Sequence, residues 1–499
     1  MIPLTLARIA EIVGGELADI TPAEAAERRV TGTVEFDSRA VTPGGLFLAL
    51  PGARSDGHDF AGAAVGAGAA AVLAARPVGV PAIVVPPAPA SDAHAGVFEH
   101  DTDGSGAAVL AALAKLASAV AAELVEGGMT IIGITGSSGK TSTKDLIAAV
   151  LRPLGEVVAP PGSFNNELGH PWTVLRATEG TDFLVLEMSA RHPGNIAALA
   201  SIARPSIAAV LNVGTAHLGE FGSREIIAET KSELVQALPA SGVAILNADD
   251  PMVAAMAAKT VARVVWVGRA EEERGDRQLD VRAEDIELDE LARPHFTLTT
   301  ATESAQVRLA VHGEHQVSNA LSAAAVALEC GASVPQVAAA LAGAGPASRH
   351  RMEVRTRADG VTVINDAYNA NPDSMRAGLQ ALAVMARQQQ KRSWAILGEM
   401  GELGDESITE HDRVGRLAVR LDISRIVVVG TGRPMSAMHH GAVMEGSWGS
   451  ESTMVPDTDA ALALLRAELQ PGDVVLVKAS NAAGLGALAE ALMAQDESG

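Results

Sequence analysis

A run of glycine, serine, lysine and threonine has the composition of a loop that binds phosphate groups. It reads Gly136-Ser137-Ser138-Gly139-Lys140-Thr141-Ser142, between a predicted strand, Met129–Ile134, and a predicted helix, Thr141–Leu151. In this context backbone N–H groups approach the phosphates, Lys140 reaches the outer phosphates and Thr141 can ligate Mg²⁺. The general pattern has an additional glycine where this chain has Ile134, so the loop is shortened. The loop predicts an enzyme that uses ATP, but by itself it does not identify the reaction.

Two further candidates follow predicted strands downstream of this loop. Glu187 ends the apolar run that begins at Phe183, and His217 closes the segment that begins at Asn212 after Ile207–Leu211. The carboxyl ends of parallel strands share one edge of a sheet, and a carboxylate placed there suits Mg²⁺. Composition alone favours an exposed helix lysine at Lys231.

Amide side chains supply further candidates. Asn165 and Asn166 precede a Gly-His-Pro sequence, which indicates either a polar turn or contacts with a phosphate or a bound carboxylate. His315 and Asn319 are four residues apart and could share one face of a predicted helix, Ser318–Glu329. Ser318 or Asn319 could also cap that helix.

Three polar segments in the last third of the chain also follow predicted strands. They are Asn365-Asp366-Ala367-Tyr368-Asn369-Ala370-Asn371-Pro372, Leu397–Gly404 and Lys478–Asn481. Doubly wound α/β domains hold their ligands at the carboxyl ends of the strands. We therefore expect these segments to contribute to a site.

The elements that must position these residues form three regions. Residues 1–106 combine short strands with a predicted helix at Ala61–Ala74 and end in a polar linker. Residues 107–345 alternate apolar strands with helices, which predicts a mostly parallel sheet, and add an antiparallel part over Asp280–Val311. Residues 346–499 alternate in the same way. The predicted fold class is α/β with three domains: a smaller N-terminal domain, a central P-loop-type domain and a C-terminal Rossmann-like domain.

Composition excludes several classes of protein. The chain has 499 residues and a net charge of −22, so nucleic acid and anionic membranes are unfavourable partners. Its one cysteine, Cys330, excludes an intramolecular disulfide framework and a cysteine-based zinc cluster. The N-terminus does not resemble a signal peptide, and we expect a cytoplasmic monomer without membrane insertion.

Together these motifs resemble the Mur ligase family of peptidoglycan biosynthesis over nearly the whole chain. Specific to the family are the loop from Thr135 to Thr141, Asn212 with His217, and His315 with Asn319. The segments at Asp366 and Leu397 are similar to those of the member that joins D-alanyl-D-alanine to a UDP-N-acetylmuramoyl-tripeptide. In the family the first domain holds the UDP-sugar, and Ser38 and Arg39 lie in its matching motif.

The resemblance implies roles for individual residues. Lys140 and Thr141 would contact the ATP phosphates and Mg²⁺, and Glu187 and His217 would bind Mg²⁺. Lys231 resembles the lysine that the family carbamylates with CO₂, which converts a cation into a carboxylate-like ligand. Asn319 resembles a contact on the adenine side of ATP, and Arg351 and Asp366 resemble nucleotide contacts of the C-terminal domain, with Arg349 as an alternative to Arg351. Asn481 stands where the family motif has arginine, which puts dipeptide contacts by Lys478 and Asn481 in doubt. The substrate-side candidates are Ser38, Arg39, Asn165, Asn166 and Asn369.

The implied reaction passes through an acyl phosphate, which the amine of the dipeptide then attacks. Three alternatives stay open: a related ligase that adds a different amino acid, a folate-polyglutamate ligase, and a regulatory P-loop protein that binds nucleotide without ligation. No Asp-Asn-Pro-Arg-like motif for an amino acid is present, and a folate ligase would lack the first domain.

Overall fold

The computed structural model describes residues 1–87, 101–215, 218–270, 278–446 and 451–494. It divides into two compact units that interleave along the chain. The first unit comprises residues 1–134, 155–208 and 233–243, and the second comprises 135–154, 209–232 and 244–499. The predicted domain limits at residues 106 and 345 therefore remain predictions.

The elements of residues 1–134 begin with a small mixed region and end with a strand that leads into the glycine-rich loop. They are β1 Leu4–Thr5, α1 Leu6–Val13, β2 Glu16–Ala18, α2 Pro22–Glu27, β3 Arg29–Val30, β4 Val34–Glu35, β5 Leu46–Leu48, α3 Ala61–Gly66, β6 Ala71–Ala74, β7 Ala82–Val84, α4 Ser105–Glu126 and β8 Thr130–Thr135.

Five of these strands form one sheet in the order β2-β7-β6-β5-β4, parallel except for β2. The helix predicted over Ala61–Ala74 is wrong in its second half, because α3 ends at Gly66 and β6 follows. All four residues of β6 are buried. A parallel strand covered on both faces is uniformly apolar, so its pattern does not distinguish it from a buried helix.

Helix α4 begins at Ser105, so the predicted polar linker, which was expected to extend to Gly106, ends two residues earlier. Among the described residues it is the one helix long and apolar enough to cross a membrane. More than half of its apolar stretch is buried, and it packs against α1. This burial is that of a helix in a protein core.

Residues 135–345 alternate helices with strands and then turn antiparallel, as predicted. The elements are α5 Lys140–Leu151, β9 Val157–Val158, α6 Gly169–Val174, β10 Phe183–Glu187, α7 Asn195–Ile202, β11 Ile207–Val210, α8 Leu218–Phe221, α9 Arg224–Gln236, β12 Val243–Asn247, α10 Pro251–Ala255, β13 Arg263–Arg269, β14 Val281–Leu288, β15 Pro294–Thr299, β16 Ser304–Arg308, α11 Gln316–Glu329 and α12 Val334–Gly343. In the first unit β10 pairs in parallel with β8 and β9. In the second unit β14 is parallel to β13 and antiparallel to β15, which pairs with β16.

Residues from 346 onward form a six-stranded sheet with helices on both faces. The elements are β17 Glu353–Thr356, β18 Thr362–Asn365, α13 Pro372–Gln388, β19 Ser393–Leu397, α14 Ser407–Arg420, β20 Arg425–Val429, α15 Arg433–Glu445, β21 Ser452–Val455, α16 Thr458–Glu468, β22 Val474–Lys478 and α17 Leu485–Met493. The strand order is β17-β18-β22-β19-β20-β21, and only the edge strand β17 is antiparallel. The sequence did not predict β17, α15, β21 or α17.

The two faces of this sheet carry different helices. Buried residues of α13, α14 and α15 pack on one face, including Met375, Val414 and Met438. Residues of α16 and α17 pack on the other face, including Leu465 and Leu488. Because the strands alternate buried side chains between the faces, both faces have an apolar core.

Candidate active site

The glycine-rich loop lies between β8 and α5, as the sequence predicted. Gly139 immediately precedes α5 with a left-handed φ of 81°. A Cβ at this position would lie 2.6 Å from Oδ1 of Asn319, so both the backbone angle and the available space require glycine. The loop and the adenine-side candidate Asn319 are therefore in direct proximity.

The side chain of Asn212 holds the loop in place. Its Oδ1 accepts hydrogen bonds from the backbone amides of Ser137 and Ser138, each at 3.0 Å, and its Nδ2 donates to the Ser138 carbonyl at 3.2 Å. The Ser137 hydroxyl in turn accepts from the Gly214 amide at 2.9 Å. Asn212 belongs to a predicted motif, but it was not predicted to be a site residue.

Two cations lie at the start of α5. Nζ of Lys140 donates to the Gly136 carbonyl at 2.7 Å, so the ammonium lies over the loop. The Arg351 guanidinium donates to the hydroxyl of the buried Thr141 at 3.3 Å and stacks 4.2 Å from the centre of the Tyr368 ring. The anionic phosphates of a nucleotide would meet both positive groups here.

Arg351, rather than Arg349, occupies the position beside the loop. The Arg349 side chain is 84% exposed and pairs with Glu490. His350 and Met352, on either side of Arg351, have left-handed φ angles of 57° and 50°. This backbone conformation is uncommon for residues other than glycine.

Lys231 lies in α9 and is only 5% exposed, so the expectation of an exposed lysine is wrong. Burial lowers the pKa of its ammonium well below the usual value, and the nearby charge of Lys140 lowers it further. The described residues provide no ion-pair partner for it. A buried lysine of this kind favours the neutral amine, which is nucleophilic.

Asn319 and His315 lie at the start of α11, which begins at Gln316, two residues earlier than predicted. The predicted cap at Ser318 or Asn319 is therefore wrong, because both residues lie within the helix and His315 occupies the cap position. Asn319 is buried and donates to Oε1 of Gln316 at 2.9 Å. Burial lowers the pKa of His315 to about 4, so its ring is neutral at physiological pH.

The three polar segments of the C-terminal sheet meet at the carboxyl ends of neighbouring strands. Nζ of the buried Lys478 lies 2.5 Å from Oδ2 of Asp366 and 3.1 Å from the carbonyl of Asn369. The other carboxylate oxygen of Asp366 accepts from the Met352 amide at 3.1 Å. The Gly398 amide donates to the Lys478 carbonyl at 3.0 Å. Lys478 thus joins the segments structurally, while the side chain of Asn369 lies at the exposed end of its loop.

In the first unit, Glu187 ends β10 and is the register partner of Ile134, which lies two residues before Gly136. The Glu187 side chain is buried, and its Oε2 accepts from the Ser163 hydroxyl at 3.1 Å and from Nδ2 of Asn165 at 3.4 Å. Asn166 has a different role: its Oδ1 accepts from the Gly169 amide at 2.9 Å and shapes the turn into α6.

Trp172 brings two predicted substrate segments together within the first unit. Its ring contacts Phe164, next to Asn165, with 4.5 Å between ring centres, and Phe36 at 6.2 Å. Phe36 leads into the segment with Ser38 and Arg39 that follows β4. Arg39 is exposed and pairs with Asp37, whose pKa falls to about 2 through hydrogen bonds from Arg39. Trp172 was not predicted to be a site residue, and only its position six residues after Asn166 could have indicated this role.

His217 lies outside the described residues. Within the described ranges, no three His, Cys, Asp or Glu side chains are grouped closely enough to hold a metal ion. The described candidates for Mg²⁺ are a threonine hydroxyl, a carboxylate and a lysine, at Thr141, Glu187 and Lys231. An unmodified lysine does not fit a Mg²⁺ site, because Mg²⁺ prefers oxygen ligands and the lysine offers only a nitrogen.

Family models match most of the chain. The Mur ligase family catalytic domain matches residues 32–120, the Mur ligase middle domain matches residues 134–327, and the Mur ligase glutamate ligase domain matches residues 350–481. The chain belongs to the Mur ligase family. It shares 74% identity with the UDP-N-acetylmuramoyl-tripeptide–D-alanyl-D-alanine ligase of Mycobacterium tuberculosis, with 100% of this chain and 99% of that protein covered. Identity to the ligase of the same name from Escherichia coli is 35%, over 86% of each chain.

Solved structures agree with this assignment to the Mur ligases. MurF from Acinetobacter baumannii superposes with a TM-score of 0.80 at 31% identity, with 98% of this chain and 99% of that chain covered. MurF from Thermotoga maritima in complex with ADP has a TM-score of 0.73 at 28% identity, with coverage of 94% and 98%. The predicted fold class, α/β with mostly parallel sheets and the three-domain architecture of Mur ligases, is confirmed. This Mur ligase is an ATP-using ligase.

Proposed function

We propose that this Mur ligase uses ATP to join D-alanyl-D-alanine to the peptide carboxylate of UDP-N-acetylmuramoyl-tripeptide during peptidoglycan synthesis. The observation that carries the proposal is 74% identity, over the whole chain, to a ligase with that name. The phosphate-binding loop and the interlocked C-terminal segments supply the parts that such a reaction needs.

The reaction has two balanced steps. An oxygen of the peptide carboxylate attacks the γ-phosphorus of ATP, which forms an acyl phosphate and releases ADP. The amine of D-alanyl-D-alanine then attacks the acyl carbon, phosphate leaves, and the nitrogen loses a proton as the amide bond forms. No protein nucleophile is required, so the chain's residues bind, orient and neutralise charge.

The residues around the loop divide these tasks. Backbone amides at the start of α5 would face the phosphates, whereas those of Ser137 and Ser138 bind Asn212. Lys140 would offset charge on the transferred phosphoryl group, and Asn319 would lie on the adenine side. Arg351 adds a second cation, which its stacking on Tyr368 holds in a defined orientation. Asp366 is proposed as a further nucleotide contact, although its carboxylate already pairs with Lys478.

Mg²⁺ would be held by Thr141, Glu187, His217 and the modified Lys231. The hydroxyl and the carboxylate are hard oxygen donors of the kind that Mg²⁺ prefers. Bound Mg²⁺ neutralises phosphate charge and orients the transferred group.

The modification of Lys231 is a carbamate. The neutral amine adds to CO₂, a nitrogen–carbon bond forms, and one proton is released to leave an anionic N-carboxylate. Burial and the lowered pKa of Lys231 support the proposal, because only the neutral amine carries the lone pair that attacks CO₂.

The two peptide substrates would be bound by different domains, the UDP-linked tripeptide by the N-terminal domain and the dipeptide by the C-terminal domain. We assign the UDP-sugar to the N-terminal domain, residues 1–106, through Ser38 and Arg39, with Asn165 and Asn166 on the adjoining segment. Residues 107–345 would form the ATP-binding domain, and residues 346–499 would contact the nucleotide and the dipeptide, with Asn369 at the dipeptide. The enzyme would act as a cytoplasmic monomer.

One assay separates this function from its alternatives. The protein is incubated with ATP, Mg²⁺, UDP-N-acetylmuramoyl-tripeptide and one amino substrate at a time, and phosphate release is measured. Release should require both the tripeptide and D-alanyl-D-alanine. Equal release with diaminopimelate or lysine, release without any amine, or release with a folate substrate would each contradict the proposal.

A further inference from the structure

In the C-terminal sheet the connections of two adjacent strands diverge, which in a doubly wound domain opens a crevice between them. Strands β19 and β22 are parallel neighbours, with Leu397 opposite Lys478. After β19 the chain passes to α14 on one face of the sheet, and after β22 it passes to α17 on the other face. Ligands of doubly wound domains bind in such crevices.

The loop from Gly398 to Gly401 borders this crevice, and its backbone is fixed at several points. The Gly398 amide donates to the Lys478 carbonyl at 3.0 Å, and the Gly401 amide donates to the Ser480 hydroxyl at 2.8 Å. The Ser480 amide donates to the Glu399 carbonyl at 2.9 Å. The loop is therefore preorganised by the strand beside it.

His411 of α14 fixes the centre of the same loop. Its Nδ1 donates to the Ser407 carbonyl at 2.6 Å, so its Nε2 is the acceptor for the Met400 amide at 2.9 Å. The ring is fully buried, and burial lowers its pKa, so the neutral form persists at physiological pH. The charged groups that face it are Glu399 and Glu410.

Glu399 is the side chain that this arrangement presents to solvent. Its neighbour Met400 is buried, whereas Glu399 is exposed and forms no side-chain hydrogen bond or ion pair with the described residues. The rigid loop beside the crevice thus holds one carboxylate toward solvent. Such a carboxylate is suited to a cationic ligand.

We infer that Glu399 binds the ammonium group of the incoming dipeptide and that His411 is the positioning residue that holds Glu399 in place. The inference rests on the proposed function and assigns one residue to the recognition of its second substrate. ATP is anionic and carries no ammonium, so an exposed carboxylate at this position disfavours the nucleotide and suits the free amino end of the dipeptide.

Steady-state kinetics of Glu399→Gln test the inference. The KM for D-alanyl-D-alanine should rise about tenfold or more, which is the loss expected for one charge-assisted hydrogen bond. The KM values for ATP and the tripeptide should stay within about twofold of the wild-type values, because the substitution weakens the binding of the dipeptide alone. The matched control is Glu406→Gln, an exposed glutamate before α14, which should behave as wild type.

A ligand without the positive charge gives a second readout. N-acetyl-D-alanyl-D-alanine should bind the wild type at least about tenfold more weakly than the free dipeptide by calorimetry, and Glu399→Gln should abolish most of that difference. His411→Ala should raise the KM for the dipeptide. His411→Gln should bring this KM part of the way back to the wild-type value, because Oε1 of the glutamine can accept from the Met400 amide.

The outcomes separate this inference from the proposed function. If the wild type does not release phosphate with D-alanyl-D-alanine, the proposed function is wrong. If the wild type uses the dipeptide and Glu399→Gln, with an unchanged Tm, keeps the wild-type KM for it, then Glu399 does not bind the ammonium. An equal rise in all three KM values would also contradict the inference.

Discussion

The carboxylate of Asp373 accepts a hydrogen bond from the backbone amide of Thr215, with 3.1 Å between Oδ2 and N. Asp373 lies in the first turn of α13, and Thr215 lies in the segment that follows β11. Through Gly214 and Ser137 the same segment is bonded to the phosphate-binding loop. A single carboxylate of the C-terminal sheet domain is therefore two hydrogen bonds away from that loop.

Asp373→Ala should weaken ATP binding. Loss of a hydrogen bond to a charged acceptor costs about 1.5 to 3 kcal/mol, so we expect the KM for ATP to rise roughly tenfold or more. The control is Asp459→Ala, which removes an acidic residue from the same position in the first turn of α16, where it is exposed. Equal KM values in the two variants would show that the Asp373 contact does not support the loop.

Lys231→Met should abolish ligase activity and yet stabilise the protein in CO₂-free buffer near pH 7. Because the folded-state pKa of Lys231 is lowered, the unfolded chain binds its proton more readily, and stability rises with pH from the folded pKa up to about 10.5. Near pH 7 the lysine must lose its proton on folding, which lowers the free energy of unfolding. Methionine has no proton to lose, so we expect the Tm to rise by about 2 °C or more. Lys391→Met, at a less buried lysine, should leave the Tm unchanged.

The carbamate itself has a chemical test. Lys231→Ala should be inactive and should regain part of its activity with formate or acetate, since these small carboxylates can occupy the place of the carbamate. Full activity of Lys231→Ala, with no response to bicarbonate or formate, would exclude the modification.

The buried pair of Lys478 and Asp366 should show strong coupling in a double-mutant cycle. Lys478→Met leaves the Asp366 carboxylate without its cation, which costs about 3 to 5 kcal/mol of unfolding free energy. Adding Asp366→Asn should recover much of that loss, as the double variant contains no isolated charge. Denaturant unfolding of the four proteins measures the coupling, and additive losses would mean that the pair is energetically independent.

His170 should contribute to acid sensitivity. Its ring is fully buried, and this burial lowers its pKa to about 4, although the backbones of Glu187 and Leu199 act in the opposite direction. The unfolded chain binds this proton more readily, so the associated stability is complete above about pH 6.5 and is lost as the pH falls toward 4.

His170→Met should therefore lose less stability than the wild type between pH 7 and pH 4.5, by about 2 to 3 kcal/mol. Thermal unfolding at several pH values measures this difference. His440→Asn, at an exposed histidine, should follow the wild-type profile. A wild-type profile for His170→Met as well would place the acid sensitivity elsewhere.

Much of the fold was predictable because its strands and helices carry their own patterns. Helices α5 and α11 end at Leu151 and Glu329, where they were predicted to end, and the glycine-rich loop lies between a strand and a helix as expected. The prediction failed at Ala61–Ala74, where alanine and glycine fill both a helix and a buried strand. Alanine-rich segments have no polar face that would reveal their periodicity.

Site residues were predictable where they belong to a local sequence motif. They were not predictable where their role depends on contacts with residues that are distant in the sequence. Lys140 and Thr141 follow from the loop motif. Asn212 binds amides 74 and 75 residues away, and no local pattern reveals that contact. The burial of Lys231 likewise depends on packing around α9, which its polar neighbours in the sequence conceal.

The position of β22 in the middle of its sheet has a consequence for synthesis of the chain. This strand lies between β18 and β19, yet the ribosome makes it after every other strand of that sheet. In a growing polypeptide the position between β18 and β19 therefore stays empty while more than a hundred residues, from Asn365 to Val474, are translated. Only then can Lys478 pair with Asp366. Nascent chains that stop before this strand would expose two unpaired strand edges. We expect chaperones and proteases to bind such chains, which would not fold into enzymes of reduced activity.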